Sequence, residues 1–210
     1  GGPRALMDPE RLTAPEPAFF RRDAVTVAQQ LLGAYLLTEA SDGAPLGGRI
    51  VETEAYTAED PASHSYPGET ARNSSMFRAG GTLYVYLIYG VHRCLNVVTG
   101  AEGQGEAVLL RAIEPIWGVF EMARRRGLAD PSAPSTPRGW KSLRGLADGP
   151  GKTAHAYGVT TDYDGISLLD GPLRILLPPE PLPPERIVAT HRIGITKNAT
   201  QHWRFVDRES

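Results

Sequence analysis

Apolar positions along the chain fall into short runs with two different periods. Between Asp23 and Gly33, the residues Val25, Ala28, Leu31 and Leu32 recur at helical spacing. The aspartate can cap the first turn and the glycine supplies a stop, so this segment predicts a core-packing helix. Two extended runs follow, Ala34 to Thr38 and Gly48 to Tyr56, separated by the turn-forming Ser41-Asp42-Gly43, which reads as a hairpin. From 57 to 81 the period is lost, and Pro61, Pro67, Gly68, Gly80 and Gly81 predict a long loop of the kind that usually carries function.

Thr82 to Leu87 and Val91 to Val98 are rich in aromatic and β-branched residues and join through Tyr89-Gly90, predicting a second hairpin. A strand over Ala107 to Ile113 comes next. Pro115 suits the first turn of a helix ending at Gly127, and a shorter helix begins near Gly151-Lys152. Ile166 to Leu168, Leu173 to Leu177, Arg192 to Ile195 and Trp203 to Val206 read as further strands. Strands dominate without an internal repeat, so the expected class is α+β: a curved, mostly antiparallel sheet flanked by helices and carrying a protruding β-hairpin.

At 210 residues the chain suits one domain, placed at 17–210 behind a polar, proline-rich tail, 1–16, expected to be flexible. The lone Cys94 excludes an internal disulfide and a thiolate metal cage, and suggests a reducing compartment. No signal peptide or apolar span is read, so the expected location is the cytoplasm (a bacterial nucleoid) or a eukaryotic nucleus, without secretion. A net charge of −2 speaks mildly against a polyanionic partner. Between Glu121 and Lys152, however, the basic residues Arg124, Arg125, Arg126, Arg138, Lys141, Arg144 and Lys152 outnumber the acidic Glu121, Asp130 and Asp148, which fits either a solvated helix end or a basic face.

Several patterns carry candidate chemistry. Strand alternation puts Ile50, Glu52, Glu54 and Tyr56 on one face, feeding into the loop that holds His64, Arg72 and Asn73. That face is either plainly solvated or one wall of a cleft, where a carboxylate beside an anomeric carbon could stabilise an oxocarbenium-like state and deprotonate water. In Leu83-Tyr84-Val85-Tyr86-Leu87-Ile88-Tyr89-Gly90, Tyr84 and Tyr86 share a face. Tyr89 falls at the tip, where it either packs in the sheet or projects as a wedge able to fill a vacated base stack. Asn96 and Arg111 interrupt apolar strands and require partners.

Other motifs fail. Gly149-Pro150-Gly151-Lys152-Thr153 lacks the leading glycine of a triphosphate loop, although such a turn can still bind one phosphate. The five histidines show no paired metal-ligand spacing, so neither metal nor cofactor is expected. No serine-hydrolase elbow is present.

Taken together, these residues resemble the alkyladenine (3-methyladenine) DNA glycosylase family, the N-methylpurine DNA glycosylases. The resemblance runs in order through Phe19-Phe20, Leu31-Leu32-Gly33, Gly48-Arg49-Ile50-Val51-Glu52-Thr53-Glu54-Ala55-Tyr56, Ala62-Ser63-His64, Arg72-Asn73, Met76-Phe77 and Tyr84-Val85-Tyr86. It continues in Leu95-Asn96, Leu110-Arg111-Ala112, Glu114-Pro115, Gly149-Pro150-Gly151-Lys152, Arg192-Ile193-Gly194-Ile195 and Trp203-Arg204-Phe205. It implies a monofunctional hydrolase of base excision repair, acting as a monomer without an obligatory protein partner on double-stranded DNA containing damaged purines.

By that resemblance Glu54 is the general base and Arg111 helps position it. Tyr56 and His64 bind one side of a flipped base, Tyr86 covers the other, and Asn96 lines the floor. Tyr89 intercalates, while Arg72, Asn73, His92 and Lys152 lie near the DNA backbone. Ser74 stands where relatives often carry arginine, and Thr99 to Glu106 is longer than in mammalian members. Two other classes stay open on the residues alone: a noncatalytic nucleic-acid-binding module that stacks bases on tyrosines, and a hydrolase of free nucleosides.

Overall fold

The computed structural model describes residues 8–128 and 145–210. Arg138, Lys141 and Arg144 of the basic stretch therefore lie outside the described residues, as do 1–7 of the expected tail. Eight strands form one curled antiparallel sheet: β1 (Tyr35–Glu39), β2 (Pro45–Tyr56), β3 (Leu83–Ile88), β4 (His92–Thr99), β5 (Glu106–Trp117), β6 (Arg174–Leu176), β7 (Ile187–Thr190) and β8 (Arg204–Asp207). The main path runs β3-β4-β5-β2-β1-β6, and β8 joins the far end of β2 and carries β7 at the edge. The helices are α1 (Pro17–Phe20), α2 (Ala24–Leu31), α3 (Val119–Arg125) and α4 (Pro150–Ala156). The architecture is the expected α+β class.

The helix expected behind Asp23 forms as α2, with the Asp23 side chain accepting from the Thr26 amide at 2.9 Å and Gly33 at φ 84° beyond its end. Its apolar stripe, Val27, Ala28 and Leu31, is buried against the sheet together with Ile50, Leu83, Leu95, Val108 and Leu110. Thr53 Oγ1 donates to the Ala28 carbonyl at 2.8 Å and ties β2 to the helix.

Three expectations need correction. First, Pro115 does not start a helix but pairs with Gly48 inside β5, and α3 begins only after Gly118 (φ 65°). Ile116 and Trp117 gain more by packing on Tyr35 in a small second core than by coiling. Second, Arg192 to Ile195 is irregular, because Arg192 is buried as an ion-pair partner and Gly194 takes φ 76°; the unforeseen strand there is β7. Third, Ile166 to Leu168 forms a single bridge, Thr82 to Ser167. Within 8–16, Leu12 is buried in the second core, and Thr13 exchanges backbone hydrogen bonds with Leu177 at 2.8 and 2.9 Å.

The strand at the centre of the molecule is irregular in a way alternation does not foresee. The β2–β5 ladder skips Val51 between the pairs Ile50–Ile113 and Glu52–Ala112, then skips Arg111 between Glu52–Ala112 and Thr53–Leu110. Each skip is a β-bulge, a device that re-aims side chains. The first one separates Ile50 from its expected companions: Ile50, Thr53 and Ala55 are turned to the core while Glu54 and Tyr56 face a cavity.

Candidate active site

The cavity measures about 300 Å³, at the lower end of the range for small-molecule sites. Its walls come from the concave side of β2, β3, β4 and β5, the start of α4, and the segments holding His64 and Ile193. Glu54 lies at its floor with no side-chain surface open to solvent. Two hydrogen bonds hold this carboxylate, and a guanidinium stands beside it. The Tyr56 hydroxyl donates to Oε1 at 2.9 Å, the Ile193 amide donates to Oε2 at 2.8 Å, and Arg111 Nη1 stands 3.4 Å from Oε1.

Burial, and after it the Glu54 charge, pushes the Tyr56 phenol far above its ordinary value, so Tyr56 is an O–H donor at every working pH. Arg111 reaches the floor because it is the bulged residue of β5.

The aromatic wall is closed in this state. His64 and Tyr86 ring centroids are 3.8 Å apart, which leaves no room for a third ring between them, and Tyr84 meets both at 6.2 Å. The expected slot between His64 and Tyr86 thus exists only after these rings part. Burial, with the Arg72 charge second, lowers the His64 pKa, so the imidazole is neutral at neutral pH. Asn96, paired with Tyr84 across β3–β4, donates its amide to the Tyr84 and Cys94 carbonyls at 3.3 Å each and lines the floor. Burial pushes the Cys94 thiol up to about 11, keeping it protonated beside the cavity.

Tyr89 is 93% exposed at the β3–β4 turn yet lines the same cavity as Glu54. Its φ of 52°, followed by Gly90 at 68°, gives the paired left-handed residues of a tight hairpin turn, which throw the ring outward. His92 opens β4 and abuts Gly151, whose added β-carbon would lie 3.5 Å from it. Lys152 pairs with Asp148 at 2.9 Å on the exposed side of α4. Arg72 is exposed, donates to the Leu87 carbonyl through Nη2 at 2.9 Å and lies over the Tyr86 ring at 5.1 Å. Asn73 is buried and clamps its own loop, accepting from the Thr70 amide and donating to the His64 and Gly68 carbonyls. Ser74 is half-buried and opens a short 3-10 turn.

Two parts of the site escaped sequence reasoning. One is the Ile193 amide, a backbone group with no residue-type signature. The other is the fully buried ion pair of Arg192 and Asp60, joined by Asn198, with the Arg192 guanidinium 4.7 Å over the Tyr56 ring and 5.2 Å over that of Trp203. An arginine that interrupts a short apolar run was a usable signal for this pair, as it was for Arg111. Among the described residues, no cluster of three His, Cys, Asp or Glu side chains is arranged to hold a metal ion.

A curled sheet with a sequestered carboxylate, held by two hydrogen bonds beside a guanidinium and facing an aromatic cavity, defines a small enzyme of the α+β class. The model of the methylpurine-DNA glycosylase (MPG) family matches residues 18–210. A protein of Methanoculleus marisnigri is 51% identical over 190 residues, covering 90% of this chain and 92% of its own length. One of Rhizobium etli is 47% identical over 188 residues, covering 90% and 82%. A third, of Rhodopseudomonas palustris, is 44% identical over 204 residues, covering 93% and 92%. All three bear the name "Putative 3-methyladenine DNA glycosylase".

The chain belongs to the methylpurine-DNA glycosylase family. It is a DNA glycosylase, a hydrolase of N-glycosidic bonds, which excludes the noncatalytic binding module. No helix among the described residues is long and apolar enough to cross a membrane.

Proposed function

We propose that this glycosylase removes alkylated or deaminated purines of the 3-methyladenine, 7-methylguanine, hypoxanthine and ethenoadenine class from duplex DNA, leaving an intact abasic site. The observation that carries the reading is the shared cavity of Glu54 and Tyr89, a held carboxylate at the floor and an exposed aromatic at the mouth. Tyr89 enters the duplex and fills the stack that the damaged nucleotide leaves, offsetting part of an unstacking cost of about a few kcal/mol. His64 and Tyr86 part to admit the base, with Tyr56 beside it and Asn96 beneath.

In the chemical step the bond between C1′ and the purine nitrogen breaks and its electron pair leaves with the base. The oxygen of a water molecule bonds C1′, and Glu54 takes that water's proton. A cationic methylated purine is attracted to the tyrosine faces and leaves without further protonation. The described residues lining the cavity include no lysine, in keeping with hydrolysis rather than Schiff-base chemistry.

The test is base release from oligonucleotide duplexes carrying hypoxanthine, ethenoadenine or 3-methyladenine, read as alkali-labile sites. Glu54→Gln is expected to lose at least about a hundredfold in single-turnover rate. A variant as fast as the parent removes Glu54 from the mechanism, and release from free nucleosides at the duplex rate removes Tyr89.

A further inference from the structure

A second carboxylate shares the sheet face with Glu54 and has no part in the mechanism above. Glu52 stands two residues earlier on β2, and the Arg111 guanidinium lies between the two acids. Nε is 3.4 Å from Glu52 Oε1, and Nη1 is 3.4 Å from Glu54 Oε1. Charge-assisted guanidinium–carboxylate bonds close to about 2.7–2.9 Å. Arg111 makes neither, and its buried Nε has no hydrogen-bond partner.

The cause is on β8. Arg204 Nη1 donates to the same Glu52 Oε1 at 2.7 Å, while Arg204 Nε donates to the His191 carbonyl at 2.7 Å. The oxygen that would draw Arg111 in is already held, so Arg111 is suspended between two acids.

We propose that Glu52, fixed by Arg204, is a positioning residue that holds Arg111 off Glu54, leaving Glu54 a lone pair for water and the strength as a base to use it. The inference rests on Glu54 acting as the general base. An Arg111 free to close on Glu54 as a fork would cover the oxygen that must meet water, and would favour the ionised carboxylate at the expense of its proton affinity.

The other groups facing Glu54 are Tyr56 on β2, Cys94 on β4, His64 in the 57–81 segment, Arg192 beside the Ile193 amide and Arg204 on β8. Tyr56 and Cys94 stay protonated through the acid range. His64 is common to every protein compared, so its titration cancels in the differences.

The experiment records single-turnover release of hypoxanthine against pH for the parent, Glu52→Gln, Glu52→Asp, Arg204→Met and Glu54→Gln. In Glu52→Gln the acid limb of the rate is expected to move down by about one pH unit and the plateau to fall several-fold, with DNA affinity unchanged. Glu52→Asp keeps the charge but shortens the reach, and should move the limb the same way by less. Arg204→Met frees Glu52 to draw Arg111 away from Glu54, so its limb should move up.

A Glu52→Gln limb that coincides with the parent's in a protein of native melting temperature overturns the proposal. So does a Glu52→Asp profile identical to the parent's, which would reduce the effect to charge alone. Should Glu52→Gln fail to fold, Arg204→Met decides, and an unmoved limb there is fatal. Persistent activity in Glu54→Gln is a separate result, since it defeats the general-base reading itself.

Discussion

At the scale of single residues, the site shows how a charge can be buried without being lost. The Arg192 and Asp60 side chains have no solvent exposure, and the two Nη atoms of the guanidinium are bonded to Asp60 and to the Ala55 and Asn198 carbonyls between two aromatic faces, while its buried Nε has no hydrogen-bond partner. The pair anchors the segment whose next residue, Ile193, gives its amide to Glu54. Asp60→Asn leaves the arginine buried and uncompensated, and is expected to cost about 3–5 kcal/mol of unfolding free energy, measured as a lower denaturant midpoint at unchanged slope.

The cost traces to a residue that sequence reading passed over, and the reason is physical. Asp60 sits in an aperiodic stretch where an acid looks like any solvated loop residue, and only the distant Arg192 gives it meaning. Glu54, Tyr56 and Arg111 were legible because polar groups in an otherwise apolar strand demand an explanation. Arg72 and Asn73 were read as ligand contacts because polar side chains in a loop suggest one, and the structure adds a duty the sequence does not show: Arg72 lies against the Tyr86 ring and Asn73 clamps the loop.

At the scale of elements, the strands that alternation or aromatic content marked are present, and the errors fall where tertiary packing overrides local preference. The second core claims Ile116 and Trp117 for β5. The edge strand β7 was missed because its four residues are only half-buried or exposed, so they carry no clear apolar pattern. Its neighbour β8 is held by Asp207, which accepts from Arg49 Nη1 and Arg186 Nη2 at 2.7 Å each.

Burial alone would raise the Asp207 pKa, but the hydrogen bonds from Arg49, the Glu209 amide and Arg186 outweigh it and hold the carboxyl below its ordinary range. A depressed folded-state value stabilises above the unfolded value of about 3.9 and is lost as pH falls through the folded one. Asp207→Asn should therefore be clearly less stable than the parent near neutrality, and the gap should shrink as unfolding is followed toward about pH 2.

At the scale of the whole molecule, the curl of the sheet gathers regions far apart in sequence around one opening: the Tyr89 turn, the start of α4 and the Ile193 segment. Sequence gave the class of this architecture but not its shape, because curvature comes from bulges, and a bulge leaves no mark on composition. The two bulges at Val51 and Arg111 also govern how this gene product can shrink. The surplus residue of one strand cancels that of the other, so the ladder leaves the site in the same step as it entered. Deleting Val51 or Arg111 alone obliges one half of β2 and β5 to slide by a residue and turn its side chains over. Deleting both leaves the ladder even from Gly48 to Tyr56, without the Val51 side chain and the guanidinium. The doubly shortened protein should accordingly melt at a higher temperature than either singly shortened one, while remaining an impaired catalyst: the arginine can be removed without reversing the strand faces only together with the surplus residue opposite it.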